Sequence, residues 1–215
     1  MMDIPINAKV VCQNHECGKT TCVVINPISK VVTHIVVQEK GFIGSERLIP
    51  VEEILESQAD QITLRCSQSE LSKFESFTES HYISGEEEFL DYQAEHYYYH
   101  PYIVPILNEE FGYEPLIEEI ECIPPEELGI HRGAAVQATD GKVGFVDEFL
   151  ISPVDNRISH LVLKEGHLWG QKLVTIPVSE IDRIETDQVY LKLRKQAIEK
   201  LPEIPIRRHY FWKSR

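Results

Sequence analysis

Val24-Ile25-Asn26-Pro27-Ile28-Ser29-Lys30-Val31-Val32-Thr33-His34-Ile35-Val36-Val37 returns later in the chain as Leu150-Ile151-Ser152-Pro153-Val154-Asp155-Asn156-Arg157-Ile158-Ser159-His160-Leu161-Val162-Leu163. Pro27 falls on Pro153 and His34 on His160, each pair 126 residues apart. Upstream, the same spacing joins Gly18 to Gly144 and Ala8 to Ala134. Downstream, one inserted residue makes it 127, and Pro50 meets Pro177, Ile54 meets Ile181 and Leu64 meets Leu191. A register kept through so many apolar, glycine and proline positions predicts an internal duplication, two copies of one small domain.

Each copy reads as β structure. Residues 20–25 and 31–37 are rich in Val, Ile and Thr and flank a turn led by Pro27, with Pro153 in its place in the second copy. A short strand at 47–50, a helical turn near Val51–Leu55 and a strand at 61–66 follow. Apolar residues occupy both parities of the 31–37 strand, which predicts a small closed barrel with something packed outside it. Leu71, Phe74 and Phe77, matched by Ile198, Leu201 and Ile204, predict a short capping helix on each barrel. Pro202 and Pro205 make the second one short or irregular.

The order of these features resembles the PRC-barrel family: a glycine-containing hairpin, the turn before Val-Thr-His-Ile-Val-Val or Ile-Ser-His-Leu-Val-Leu, then Leu-Ile-Pro-Val or Thr-Ile-Pro-Val. That family is named for the cytoplasmic domain of the photosynthetic reaction centre H subunit and includes the C-terminal domain of a ribosome-maturation factor. The resemblance covers residues 4–78 and 130–206 and contains no catalytic signature. It implies a mainly β protein of two tandem PRC-type β-barrels, each a six-stranded adaptor surface. The expected division is a first barrel at 1–79, an acidic tyrosine-rich connector at 80–128, a second barrel at 129–206 and a basic aromatic tail at 207–215.

The net charge of −14 is concentrated in one place. Fifteen of the 35 acidic residues fall between Phe74 and His131, where there is no Lys or Arg. The rest of the chain is close to neutral, so the expectation is no DNA partner, and direct RNA contact is opposed by charge. No apolar run approaches the ~18 residues of a membrane span. The opening Met1-Met2-Asp3-Ile4-Pro5-Ile6 has neither the basic nor the apolar part of a secretory signal, and a cytoplasmic location is expected. The cysteines are unmatched between copies, which argues for reduced thiols over a disulfide framework.

Candidate sites are few. His34 and His160 lie mid-strand among apolar neighbours, which favours a histidine bonded to backbone over a catalytic one. Cys12, His15, Cys17 and Cys22 have a zinc-like look, but their spacing is non-standard and copy two replaces them with Ala138, Gly141, Val143 and Glu148. No cofactor is expected. His167, Leu168 and Trp169, with Phe42 in the matching loop of copy one, are candidate anchors for a partner protein, as are Tyr98 and Tyr99 of the connector. The positions taken as structural are Gly18, Pro27, His34, Pro50, Gly144, Pro153, His160 and Pro177. The leading functional expectation is therefore a non-enzymatic adaptor, with homo-oligomerisation left open. An RNA-processing or ribosome-assembly role comes second, and a metal-binding or redox-sensing role through the Cys/His cluster third.

Overall fold

The computed structural model describes the chain except for residues 14, 42–44, 59, 84–115, 166–171 and 202–215. Phe42, Tyr98, Tyr99, His167, Leu168, Trp169 and the basic tail lie outside the described residues. The chain divides into two compact units, one made of Met1–Phe77 with Cys122–Arg215, the other of Thr78–Glu121.

The larger unit is mainly β. Its first half contains β1 (Met2–Pro5), β2 (Lys9–Cys12), β3 (His15–Asn26), β4 (Val31–Glu39), β5 (Glu46–Pro50), a 3-10 turn at Val51–Glu53, β6 (Ile54–Gln58) and β7 (Gln61–Leu64), then α1 (Gln68–Leu71). The smaller unit contributes β8 (Thr78–Ile83) and β9 (Leu116–Glu121), paired antiparallel. The second half of the larger unit contains β10 (Leu128–His131), β11 (Ala135–Ala138), β12 (Gly141–Ile151), β13 (Ile158–Glu165), β14 (Lys172–Pro177), a 3-10 turn at Val178–Glu180, β15 (Ile181–Glu185), β16 (Gln188–Leu191) and α2 (Lys195–Ile198).

The strands form two curled seven-stranded sheets, one of them a half-barrel. One sheet runs β5-β4-β3-β2-β7-β6 and the other β14-β13-β12-β11-β16-β15, the same order at the same spacing. Each sheet takes its seventh strand from the other half. β1 pairs with β12, Met2 opposite Ile151 and Pro5 opposite Glu148. β10 pairs with β3, Leu128 opposite Ile25 and His131 opposite Cys22. The two pairings are the same pairing, shifted by 126 residues and exchanged. Between them Val31 bridges its own counterpart, Arg157. There Val32 N–H donates to the Asn156 carbonyl at 3.0 Å and Ile158 N–H to the Lys30 carbonyl at 2.8 Å. The halves are thus related by an approximate two-fold axis through Val31 and Arg157.

β3 and β12 are longer than the runs of Val, Ile and Thr suggest, because each bends at bulges. Register shifts at Thr20/Cys22 and Val24/Ile25 in β3, and at Val146/Glu148 and Leu150/Ile151 in β12, let a single strand curl past three partners. The bend explains the matched glycines. A Cβ on Gly18 would collide with the Gln38 carbonyl, and one on Gly144 with the Lys164 carbonyl. Only glycine allows the two strands to approach this closely.

Burial on both parities of β4 has two sources. Val32, Ile35 and Val37 join Val23, Ile25 and Ile49 in the large core cluster, which runs without interruption from Ile4 to Ile198 through both halves. Val36 faces the other way and packs with Cys22, Val24, Leu48 and Phe77. The stripe of Leu71, Phe74 and Phe77 does not form one helix, as its spacing suggests. The chain leaves α1 at Leu71 and residues 75–77 lie along β5, with Leu48 N–H donating to the Glu75 carbonyl and Phe77 N–H to the Glu46 carbonyl, both at 2.9 Å. Main-chain pairing to an open strand edge outweighs helix propagation here, since a one-turn helix returns little for its nucleation cost. Ser67 and Glu70 form a reciprocal capping box on α1, while Arg194 gives α2 no side-chain cap.

Glu39 pins the segment that carries Phe77. Nearly buried, it accepts from Arg47 Nε at 2.7 Å, Ser72 Oγ at 2.8 Å and Ser45 Oγ at 3.3 Å, while Arg47 Nη1 donates to the Phe74 carbonyl at 3.3 Å. Burial works to raise the Glu39 carboxyl, but these donors outweigh it and hold the group below its ordinary value. A depressed folded value means that this stability is complete above the unfolded carboxyl value and is lost as pH falls through the lower folded one. Glu39→Gln is expected to cost about 2 kcal/mol at neutral pH. It is also expected to flatten the loss of thermal stability below pH ~4.3, the ordinary glutamate value. Melting curves of both proteins across that range check this, and parallel curves would refute it.

Candidate functional site

The two hairpin tips nearest the two-fold are built alike from local chemistry. Asn26 Oδ1 accepts from Ile28 N–H at 3.1 Å and Ser29 N–H at 2.9 Å, which closes the turn that Pro27 begins. Lys30 and Asn156 take the same left-handed conformation, φ 56° in each. As a result Ile28 and Val154 stand out into solvent, 87% and 92% exposed.

Each tip reaches the 3-10 turn region of the opposite half. Lys30 Nζ donates to the Ile181 carbonyl at 2.9 Å and to the Val178 carbonyl at 3.5 Å. Asn156 Nδ2 donates to Glu52 Oε1 at 3.1 Å. Burial lowers the Lys30 amine from its ordinary value, with Lys192 adding to the effect. The tips are therefore fixed parts of the junction, and their apolar side chains are presented on a rigid frame.

His34 and His160 flank this junction and are bonded in the same way at first. His34 Nδ1 lies 3.0 Å from Thr33 Oγ1 and His160 Nδ1 lies 3.2 Å from Ser159 Oγ. The Ser159 hydroxyl in turn donates to the Leu150 carbonyl at 2.9 Å, while the Thr33 hydroxyl has the Val24 carbonyl within reach at 3.3 Å. The His160 ring thus reaches the backbone through a neighbouring hydroxyl, not directly. The halves then differ. Glu127 Oε2 sits 2.6 Å from Thr33 Oγ1 and 3.7 Å from His34 Nδ1, whereas the equivalent position in the other half is Met1.

The Cys/His cluster is not brought together. Cys12 and Cys17 are joined as a disulfide, their Cα atoms 5.9 Å apart across the β2–β3 hairpin, which corrects the expectation of reduced thiols there. The hairpin places the two cysteines on neighbouring strands, a proximity that cysteine counting between copies does not register. His15 is exposed on the strand, with Nδ1 3.2 Å from the Gln13 carbonyl. Cys22 is buried in the smaller cluster, on the opposite face of the sheet from Cys12 and Cys17. Among the described residues, no group of three or more His, Cys, Asp and Glu is placed to hold a metal ion.

Two side chains that the sequence does not single out pair within the second half. Asp187, in the β15–β16 turn at φ 55°, accepts from His131 N–H at 2.7 Å, and its carboxylate lies 3.0 Å from His131 Nδ1. They are 56 residues apart, and nothing in their local sequence marks them as partners. The one available signal was asymmetry, since Pro5 stands where His131 does in the other half.

No model of a known protein family matches the chain, and no curated protein matches it. Among the described residues no helix is long and apolar enough to cross a membrane.

Proposed function

We propose that the protein is a non-enzymatic adaptor made of two PRC-type β-barrels, derived by internal duplication and presenting a composite surface to another protein. The observation that carries the reading is the pair of hairpin tips, which hold Ile28 and Val154 almost wholly in solvent on a hydrogen-bonded frame. An isolated exposed apolar residue needs no explanation, but two at equivalent positions of a braced junction are suited to partner contact. The constant spacing of glycines, prolines and strands supports the duplication, and the strand order repeated in both sheets agrees with it. The acidic stretch between Phe74 and His131 favours a partner with a basic face.

The test is affinity capture from the native organism with three baits: wild type, the double variant Ile28→Asp/Val154→Asp, and Trp169→Ala. The tip substitutions are at exposed positions and are expected to change stability by less than about 0.5 kcal/mol. A discrete protein retained by wild type and lost by the double variant is the expected result. Loss with Trp169→Ala alone would move the contact to the 166–170 loop. If no bait retains a specific protein, the adaptor reading fails.

A further inference from the structure

The outer face of the second half is buried, although the side chains that form it point away from the core. On β12 and β13, Phe149, Ile151, Leu161 and Leu163 join the large core cluster, so the alternating Leu150 and Val162 face outward. Glu148, Val162 and Thr175 lie side by side across β12, β13 and β14, one cross-strand row on that outer face. Leu150 and all three members of the row are buried. The same row in the first half is Cys22, Val36 and Leu48, and there Phe77 supplies the cover.

The chain leaving α2 follows the path taken on leaving α1. The two helices occupy matching residues, Gln68–Leu71 and Lys195–Ile198, 127 positions apart. Phe74 N–H donates to the Leu71 carbonyl at 3.2 Å, and Leu201 N–H to the Ile198 carbonyl at 3.0 Å. Phe74 and Leu201 are both partly buried against the large core. In the first half the next residues run along β5, where the Glu75 carbonyl accepts from Leu48 N–H and Phe77 N–H donates to the Glu46 carbonyl. The counterparts of Glu75 and Phe77 are Pro202 and Ile204. Proline lacks an N–H but keeps its carbonyl, so it falls where only an acceptor is needed, and the donor position holds isoleucine.

We propose that this face is the docking site of the protein's own C-terminal segment, residues 202–204, which adds antiparallel to the outer edge of β14. Thr175 N–H donates to the Pro202 carbonyl, Ile204 N–H donates to the Leu173 carbonyl, and the Ile204 side chain covers Leu150, Val162 and Thr175. Register and chain length single out this occupant, since the segment starts directly after Leu201 and meets both the polar and the apolar demands of the face. Docking there closes a strand edge that would otherwise accept another chain. The clamp around Glu39 is not repeated, because Val174 and Glu199 replace its Arg47 and Ser72 donors. The second cover is therefore held by main-chain pairing and one apolar side chain, and it is the more easily displaced of the two.

Amide exchange read by NMR tests the pairing in full-length protein. Ile204→Pro removes the donated N–H, and Ile204→Asp removes the apolar cover. Thr175 is expected to exchange at least about tenfold faster in both variants than in wild type, while Leu48, the matching amide of the first half, keeps its rate. Register is tested separately with Val174→Cys/Glu203→Cys, the counterparts of the Arg47–Ser76 bridge. Under mild oxidation this pair is expected to form a disulfide, mapped by peptide mass, in at least about fivefold higher yield than the out-of-register pair Val174→Cys/Arg207→Cys. Equal Thr175 exchange in wild type and both Ile204 variants, or equal disulfide yield from the two cysteine pairs, overturns the proposal. If Leu48 also loses protection, the Ile204 variants are globally destabilised and the cysteine pairs decide.

Discussion

Ile4→Ala is expected to lower stability by about 3 kcal/mol and to damage the half of the protein in which Ile4 does not reside in sequence. Ile4 is fully buried in the large core cluster and sits opposite Phe149 on β12, so its truncation removes contacts on both sides of the exchange. Loss of a buried isoleucine to alanine costs about 2–5 kcal/mol, depending on how far the cavity collapses. In a chain of this size that is a drop of roughly 10 °C in Tm. Hydrogen exchange is the sharper readout. Amides of Glu148–Ile151 should lose protection, and Ile130→Ala should act in mirror image on Cys22–Ile25. The continuous core also predicts one cooperative unfolding transition for the larger unit. Protection lost only within residues 9–64 in the Ile4 variant, or two separate transitions, would refute this coupling.

Gly18→Ala and Gly144→Ala are expected to cost about 3 kcal/mol each, among the largest effects of any single methyl group in the molecule. At both positions the added carbon meets a main-chain carbonyl, and the next contacts, Val37 Cγ1 at 2.9 Å and Leu163 Cδ1 at 2.7 Å, close the remaining direction. A flexible side chain can move aside, but a carbonyl bonded within a sheet cannot. Gly41→Ala and Gly133→Ala provide the contrast. Both glycines have φ near +90°, but among the described residues nothing lies within 4 Å of the added carbon. Their cost should be the conformational penalty alone, about 1 kcal/mol. Chemical denaturation of the four variants separates the two mechanisms, and equal losses in all four would show the close approach to be unimportant.

Glu39 shows how local chemistry misleads when an open strand edge is available. Leu71, Phe74 and Phe77 have helical spacing, and a capping box starts the helix as that spacing implies. Arg47 and Glu39 then hold the following segment against β5, and Phe77 ends up covering the outer face of the sheet. Of the residues in the apolar pattern, Leu71 and Phe77 are buried and Phe74 is partly buried. The pattern could not say which surface would bury them.

What could be read from the chain alone was whatever is local or repeats. Alternating and doubled apolar positions give β strands, Pro27 and Pro153 give turns, and a spacing of 126 to 127 residues links positions doing the same job in each half. Each of these depends on the period of the backbone or on a residue's own conformational range. Pairing between distant segments depends on neither. The reciprocal placement of β1 and β10, the Val31–Arg157 contact at the two-fold, the Glu127 carboxylate beside Thr33 and His34, and the His131–Asp187 pair all join residues remote in sequence. Which strand edge β1 and β10 pair with is decided between residues more than a hundred positions apart, and it exists only in the folded molecule.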